Sequence, residues 1–310
     1  MDLGQLRFWE KNKRLLVVSF IIIIGASVVG LIFAGYWMNW TWTGFDKTLW
    51  DWMQLLIIPV ALGLGAFLLN RSDQGREQAI ALDNQRETLF QAYLDRMSEL
   101  LLEKNLRASQ PDDEVRTVAR ARTLTMLPRL DPGRKKSVAD FLSDSNLLFL
   151  INLDYADLSG ITYGNVRPLD NFTLNHANCS HTKFCNVEGE NITLKNTNFS
   201  WATLSHVKAP HANLQQSYFC HAHLSHVDLR DSNLTNVNLQ ETYLEHVILS
   251  NANLSEADLR GAKLSNTDLS NADLRRANLS NVDFRTTNLQ GANLSGANLN
   301  GAKFRHGSNG

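Results

Sequence analysis

The sequence predicts a helical membrane hairpin, a helical stalk and an all-β solenoid, in that order. Three observations carry that reading. Two uncharged runs, residues 15–37 and 52–69, lie near the amino terminus. Residues 71–150 have helical periodicity and balanced charge, 13 Lys and Arg against 13 Asp and Glu. From Leu174 to Phe304, every fifth residue is Leu or Phe in 24 of 27 cases.

The run from Leu15 to Trp37 holds 23 residues without a charge. At about 1.5 Å per helical residue it exceeds the ~30 Å hydrocarbon thickness of a bilayer. The second run, Trp52 to Leu69, has 18 residues with Pro59 at its middle, a placement that membrane helices tolerate. Five of the seven tryptophans, Trp37, Trp40, Trp42, Trp50 and Trp52, surround the connecting loop, as indoles do at a headgroup boundary. Arg7, Lys11, Lys13 and Arg14 precede the first run and Arg71 and Arg76 follow the second, whereas the loop offers Lys47 against Asp46. Basic flanks stay inside, so residues 1–70 are expected to form a two-span plasma-membrane hairpin with both termini cytoplasmic. The competing reading of residues 1–38 is a cleaved signal peptide; the apolar run is too long for one and no A-x-A site follows it. Small residues four apart, Ala26 with Gly30, Gly30 with Ala34 and Ala61 with Gly65, suit close packing of the two helices.

In the stalk, Leu82, Leu89, Phe90, Tyr93, Leu94, Met97, Leu100 and Leu101 fall at helical spacing over residues 73–107. That stripe is either a coiled-coil surface for a homodimer or other partner, or a contact with neighbouring helices of the same chain. Ser109-Gln110-Pro111 breaks the helix, and Asp112, Asp113 and Glu114 open the next, where negative charge suits the helix dipole. Asp131-Pro132 starts a third helix carrying Val138, Phe141 and Leu142. It is well placed to cover the first coil of the solenoid. The net charge of −1 implies no bulk electrostatic partner. Three cysteines without CxxC spacing suggest neither a disulfide framework nor a zinc finger.

A period of five suits neither a straight helix, which would turn each Leu by about 140°, nor a flat strand, where odd spacing alternates faces. The chain must turn regularly. Two residues before each central Leu or Phe, 25 of 27 positions are Ala, Val, Ser or Thr; Cys179, Gly189 and Ala209 are the departures at the central position. Small and large residues then point into a narrow coil, and stacked coils bury an apolar column. The position between them is Asn or Asp in 15 of 27 pentads, which suggests amide ladders from coil to coil. Leu153, Leu158 and Tyr163 lie one residue out of phase, so a loop across Gly164–Pro168 is expected to reset the register.

Ala252-Asn253-Leu254-Ser255-Glu256 and Gly291-Ala292-Asn293-Leu294-Ser295 resemble the A(D/N)LXX units of pentapeptide-repeat proteins. The resemblance implies a right-handed quadrilateral β-helix of four pentads per coil over residues 151–305, followed by a polar tail, 306–310. Gln91–Leu142 is similar to a segment of membrane-anchored bacterial members, which have no established activity. No cap follows Phe304, so an end-to-end homodimer through the last coil is a further expectation.

All nine histidines lie in the repeats, eight of them two residues after a central position. With four pentads per coil, His206, His226 and His246 share one column. They are the surface metal candidates, against the simpler reading that an exposed position tolerates histidine; no carboxylate pair or supporting shell accompanies them, so no metal or other cofactor is expected. Trp201, an outward aromatic among polar neighbours, is the candidate protein contact. No P-loop, G-x-S-x-G or G-x-G-x-x-G occurs in a workable context, so the chain is not expected to be an enzyme. The leading function is a membrane-anchored scaffold for an unidentified protein partner. Some pentapeptide-repeat relatives instead bind a topoisomerase as acidic DNA mimics, but residues 151–310 carry 12 Lys and Arg against 14 Asp and Glu. That balance is too small to imitate a phosphate helix, and no nucleic acid partner is expected. Assistance to a transporter or to envelope assembly is a third reading.

Overall fold

The computed structural model describes residues 49–164 and 168–305, with the backbone alone for 49–62 and 65–75. The first uncharged run therefore lies outside the described residues. The chain divides into two compact units, Met1–Leu82 and Asp83–Gly310. Helix α1, Leu49–Leu102, begins in the first and continues into the second. It includes Pro59 without interruption. Among the described residues, no helix is long and apolar enough to cross a membrane.

In the second unit, α1 is followed by α2, Glu114–Met126, and α3, Pro132–Asp144, with short 3-10 turns at Leu106–Ala108 and Leu127–Arg129. The α1 stripe is used within the chain from Phe90 to Leu101. Tyr93 and Met97 are buried in one cluster with Leu106, Ala119, Leu127 and Val138, and Phe90, Leu94, Leu100 and Leu101 pack against it. The Tyr93 hydroxyl lies 3.0 Å from Thr123 Oγ1. Burial pushes that phenol up to about 12. Leu82 remains exposed.

Asp131 caps α3 by accepting the N–H groups of Gly133 and Arg134. Asp113 does not cap α2 in that way; its carboxylate instead accepts the N–H of Gln110 at 2.6 Å. Three basic side chains fasten these helices. Arg134 bridges Asp83 and Glu87 of α1 and the capping Asp131. Arg120 donates to the carbonyls of Asn152 and Asp154 in the first coil. Lys135, almost wholly buried, reaches Asp157 at 2.8 Å and Ser159 at 2.9 Å. Val138, Leu142, Leu147 and Leu148 are buried alongside, covering the apolar end that the first coil would otherwise show to water.

The solenoid wall with regular strands is a parallel sheet in the order β1 (Thr162–Gly164), β2 (Lys183–Cys185), β3 (Thr203–Ser205), β4 (His223–Ser225), β5 (Tyr243–Glu245) and β6 (Lys263–Ser265). Lys183 pairs with Thr203 and Phe184 with Leu204, a step of twenty residues. Bridges with the same step, Thr173 to Thr193, Asn178 to Asn198 and Glu188 to Lys208, mark the other three walls. Four pentads thus complete one coil. The first step is one residue longer, with Thr162 opposite Lys183 and Asp157 opposite Asn178. The phase slip in the sequence is this extra residue.

Inside, the central residues from Leu214 to Phe284 and the small residues between them are buried. Most interior hydroxyls bond the main chain, as Thr197 donates to the Leu174 carbonyl, Ser217 to Leu214 and Thr242 to Phe219, whereas the Thr287 hydroxyl has no partner. The last coil differs. Leu289, Leu294 and Leu299 are only partly buried and Phe304 is exposed.

The position between small and central residues corrects one expectation. Each of its 15 Asn and Asp residues accepts the N–H of the residue two further on, as Asn178 does from Ser180, Asn253 from Ser255 and Asn298 from Asn300. Rungs from coil to coil between these side chains occur only at a few places, among them Asn288 to Asp268 and Asn298 to Asn278. The short side chain reaches its own corner more readily than the next coil, so it builds Asx turns rather than a ladder.

Candidate interaction surface

The chain bends sharply at each corner, and most corners are β-turns. After Leu174, the N–H of Ala177 bonds back to the Leu174 carbonyl at 3.2 Å, and His176 between them has a φ of 59°. A positive φ at the third residue is the type II signature, which favours Gly and, among other residues, Asn, Asp and His. The same left-handed backbone recurs at every fifth residue from His176 to Gly301, Thr286 excepted. Seven histidines occupy it: His176, His181, His206, His211, His221, His226 and His246. Their recurrence has a backbone cause beyond tolerance at an exposed site. Thr286, β-branched and ill-suited to that region, uses its hydroxyl to bond the Leu264 carbonyl instead.

Because coils stack in register, corner side chains stack too. The ring centroids of His206, His226 and His246 follow one another at 4.9 Å, the first pair inclined by 7° and the second by 29°. Ser205 and Ser225 hydroxyls lie 2.9 and 3.0 Å from the Nδ1 atoms of His206 and His226. Among the described residues no group of three or more His, Cys, Asp or Glu could hold a metal ion.

The neighbouring corner column runs His181, Trp201, His221, Glu241. Trp201 is not alone. Its indole stacks 6.3 Å from His181 on one side and 4.3 Å from His221 on the other, and His221 Nδ1 lies 3.4 Å from the Glu241 carboxylate. The indole is held edge-out, 56% exposed. Exposed Tyr218 and Tyr243 occupy outward positions within the same succession of coils. The Lys263 ammonium sits 4.4 Å from the Tyr243 ring centroid and 3.0 Å from its hydroxyl. His223 lies 6.0 Å from Tyr243, centroid to centroid. The two tyrosines escaped the sequence reading, although the signal was there: each replaces the usual Asn or Asp at a turn-building position.

Charges on the walls cancel in pairs. Asp228 with Arg230, Asp258 with Arg260, Asp273 with Arg275 and Asp283 with Arg285 each form a fork within one pentad. Burial acts to raise Asp228 and Asp258, but the guanidinium outweighs it and both carboxyls sit below the usual range. The Arg285 guanidinium draws Asp283 down to about 2. Four of the fourteen acidic residues of the solenoid are thus neutralised within their own pentads.

A stacked parallel coil of five-residue units defines the class of protein: a β-solenoid. Residues 173–305 match, in eight copies, the family model described as pentapeptide repeats. Comparison with curated proteins finds no significant match. Among solved structures, the chain is similar to QnrB1, a plasmid-mediated fluoroquinolone resistance protein, with 21% identity over 44% of this chain and 73% of that one and a TM-score of 0.28. It is similar to HetL, a pentapeptide repeat protein involved in heterocyst differentiation regulation in the cyanobacterium Nostoc, with 23% identity over 51% and 92% and a TM-score of 0.24. A pentapeptide repeat protein of the Arabidopsis thaliana thylakoid lumen gives 20% identity over 40% and 68%, with a TM-score of 0.24.

Proposed function

We propose that the chain is a non-catalytic interaction module, held at the cytoplasmic face of a membrane, whose solenoid presents the Trp201 corner to a protein partner. The observation that carries this reading is the His181–Trp201–His221 stack, with Tyr218 and Tyr243 also exposed on the solenoid. Rigid, half-exposed Trp and Tyr side chains are the residues from which protein interfaces build their energetic centres. Stacking on both faces holds the indole in place before binding, which lowers the entropic cost of ordering it. The paired Asp and Arg forks speak against a nucleic-acid mimic.

Membrane attachment rests on the two uncharged runs and their basic flanks. A second contact, between two copies of the chain, is proposed at the last coil, where Leu289, Leu294, Leu299 and Phe304 are less buried than their counterparts. Light scattering on the purified chain tests it: a monomer at micromolar concentration removes that contact. For the main proposal, affinity isolation of the full chain from gently solubilised membranes should recover a protein that is lost with Trp201→Ala. Undiminished recovery with that variant would sink the Trp201 contact.

A further inference from the structure

We propose that the interior of the early solenoid is a binding site for a small, uncharged, apolar molecule. Five residues depart from the lattice: Cys179, Gly189 and Ala209 at central positions, and Phe172 and Ile192 where a small residue is usual. Four of these five, Phe172, Gly189, Ile192 and Ala209, line a single cavity of about 80 Å³. Gly189 and Ala209 follow one another between Leu169 and Leu229 in one column, so two consecutive coils lack the side chain that fills that quarter of the interior.

The glycine is dictated by the backbone. A Cβ at 189 would lie 2.8 Å from the carbonyl carbon of Leu169 and 2.9 Å from its oxygen. The coil containing the phase slip passes that close, and no larger residue fits. Ala209, one coil further on, is buried and carries only a Cβ at the same position. Phe172 and Ile192 restore part of the missing volume but not all of it. Phe184, Ile192 and Leu194, which line the space, are only partly buried, whereas Leu254 and Leu274 in later coils are fully buried.

The lining sets the chemistry. It is formed mainly by Leu, Ile, Val, Phe and Ala, with Tyr163 and Gly189 among them and Glu188 and Lys208 at the wall, where their charged ends pair with each other at 2.7 Å. Water would find too few partners inside, and apolar cavities of this kind stay dry or take neutral hydrophobes. An engineered cavity of about 150 Å³ accepts benzene. The smaller volume here suits xenon or a molecule of a few carbon atoms, and excludes charged or strongly polar ligands.

Methyl NMR of the full chain under xenon, with argon as control, tests the site. The Ile192 and Leu194 methyl signals should shift saturably, while those of Leu254 and Leu274 stay in place. Ala209→Leu should abolish the shift. Ala209→Val, a milder filling whose fold is verified by unchanged Leu254 and Leu274 signals, should weaken xenon binding at least tenfold. Shifts that rise without saturation, or a saturable shift undiminished in the folded Ala209→Val chain, would overturn the proposal.

Discussion

Lys135 of α3 and Asp157 of the first coil meet at 2.8 Å, the lysine 4% and the aspartate 26% exposed. Burial alone would raise the Asp157 carboxyl. Hydrogen bonds from Lys135 and Ser159 outweigh it, and its pKa falls below the ordinary 3.8. Cap and solenoid are therefore joined by a charge pair as well as by apolar packing.

Lys135→Met removes the ammonium and leaves the Asp157 carboxylate with the Ser159 N–H and the Asn178 amide. At pH 7 the variant should lose at most about 3–5 kcal/mol, the range for breaking a fully buried pair, because Asp157 is partly exposed. A depressed carboxylate pKa stabilises the fold above the unfolded value and ceases to as pH falls through the folded one. The gap between wild type and variant, read from denaturant midpoints, should be full at pH 7 and shrink below about pH 3.8. A gap that is constant from pH 7 to pH 3 would count against the ion pair.

Corner histidines are predicted to be backbone choices rather than ligands. His226, at a φ of 55°, should be replaceable by Asn with little change, whereas His226→Val should cost about 1 kcal/mol because β-branched residues resist the left-handed region. Thermal melts of the two variants decide this, and equal melting temperatures would refute it.

Much of the fold is legible in the sequence because the coil interior admits only one alternation of small and large side chains. Leu254 beside Ala252 repeats as Leu274 beside Ala272, and spacing alone reveals it. The phase slip is visible for the same reason. The roles of the outward residues are less legible. Asn253 reads equally well as a ladder amide or as a turn builder, and only the position of the Ser255 N–H decides. Trp201 is conspicuous as an exposed aromatic, but its partners His181 and His221 lie twenty residues away on either side, and the tyrosines at 218 and 243 are masked by the regularity around them. The stalk stripe leaves its partner open, which the burial of Tyr93 and Met97 against α2 and α3 residues supplies.

Burial in the solenoid should make the thiols unequal. Cys179 is fully buried and pushed up to about 12, whereas Cys185 is partly exposed. The thiolate is the reactive form. A maleimide should label Cys185 in the native chain and Cys179 only after unfolding, as followed by peptide mass spectrometry. Native labelling of Cys179 at a rate comparable to Cys185 would contradict the buried column.

The membrane proposal predicts sidedness. In inverted membrane vesicles an added protease should reach the connections around Ser109–Pro111, releasing a solenoid fragment, whereas intact spheroplasts should protect them. Release from spheroplasts, or recovery of the whole chain in the soluble fraction, would reject the proposed topology.

Site-specific photocrosslinking in native membranes tests the central claim most directly. A photoreactive residue at Thr203, beside Trp201, should capture a discrete protein, and the same probe at Asn251, in a different corner column, should not. Trp201→Ala should remove the Thr203 product and Trp201→Phe should retain part of it. Equal capture from both positions, or a Thr203 product indifferent to Trp201→Ala, would contradict a partner seated on the stacked corner.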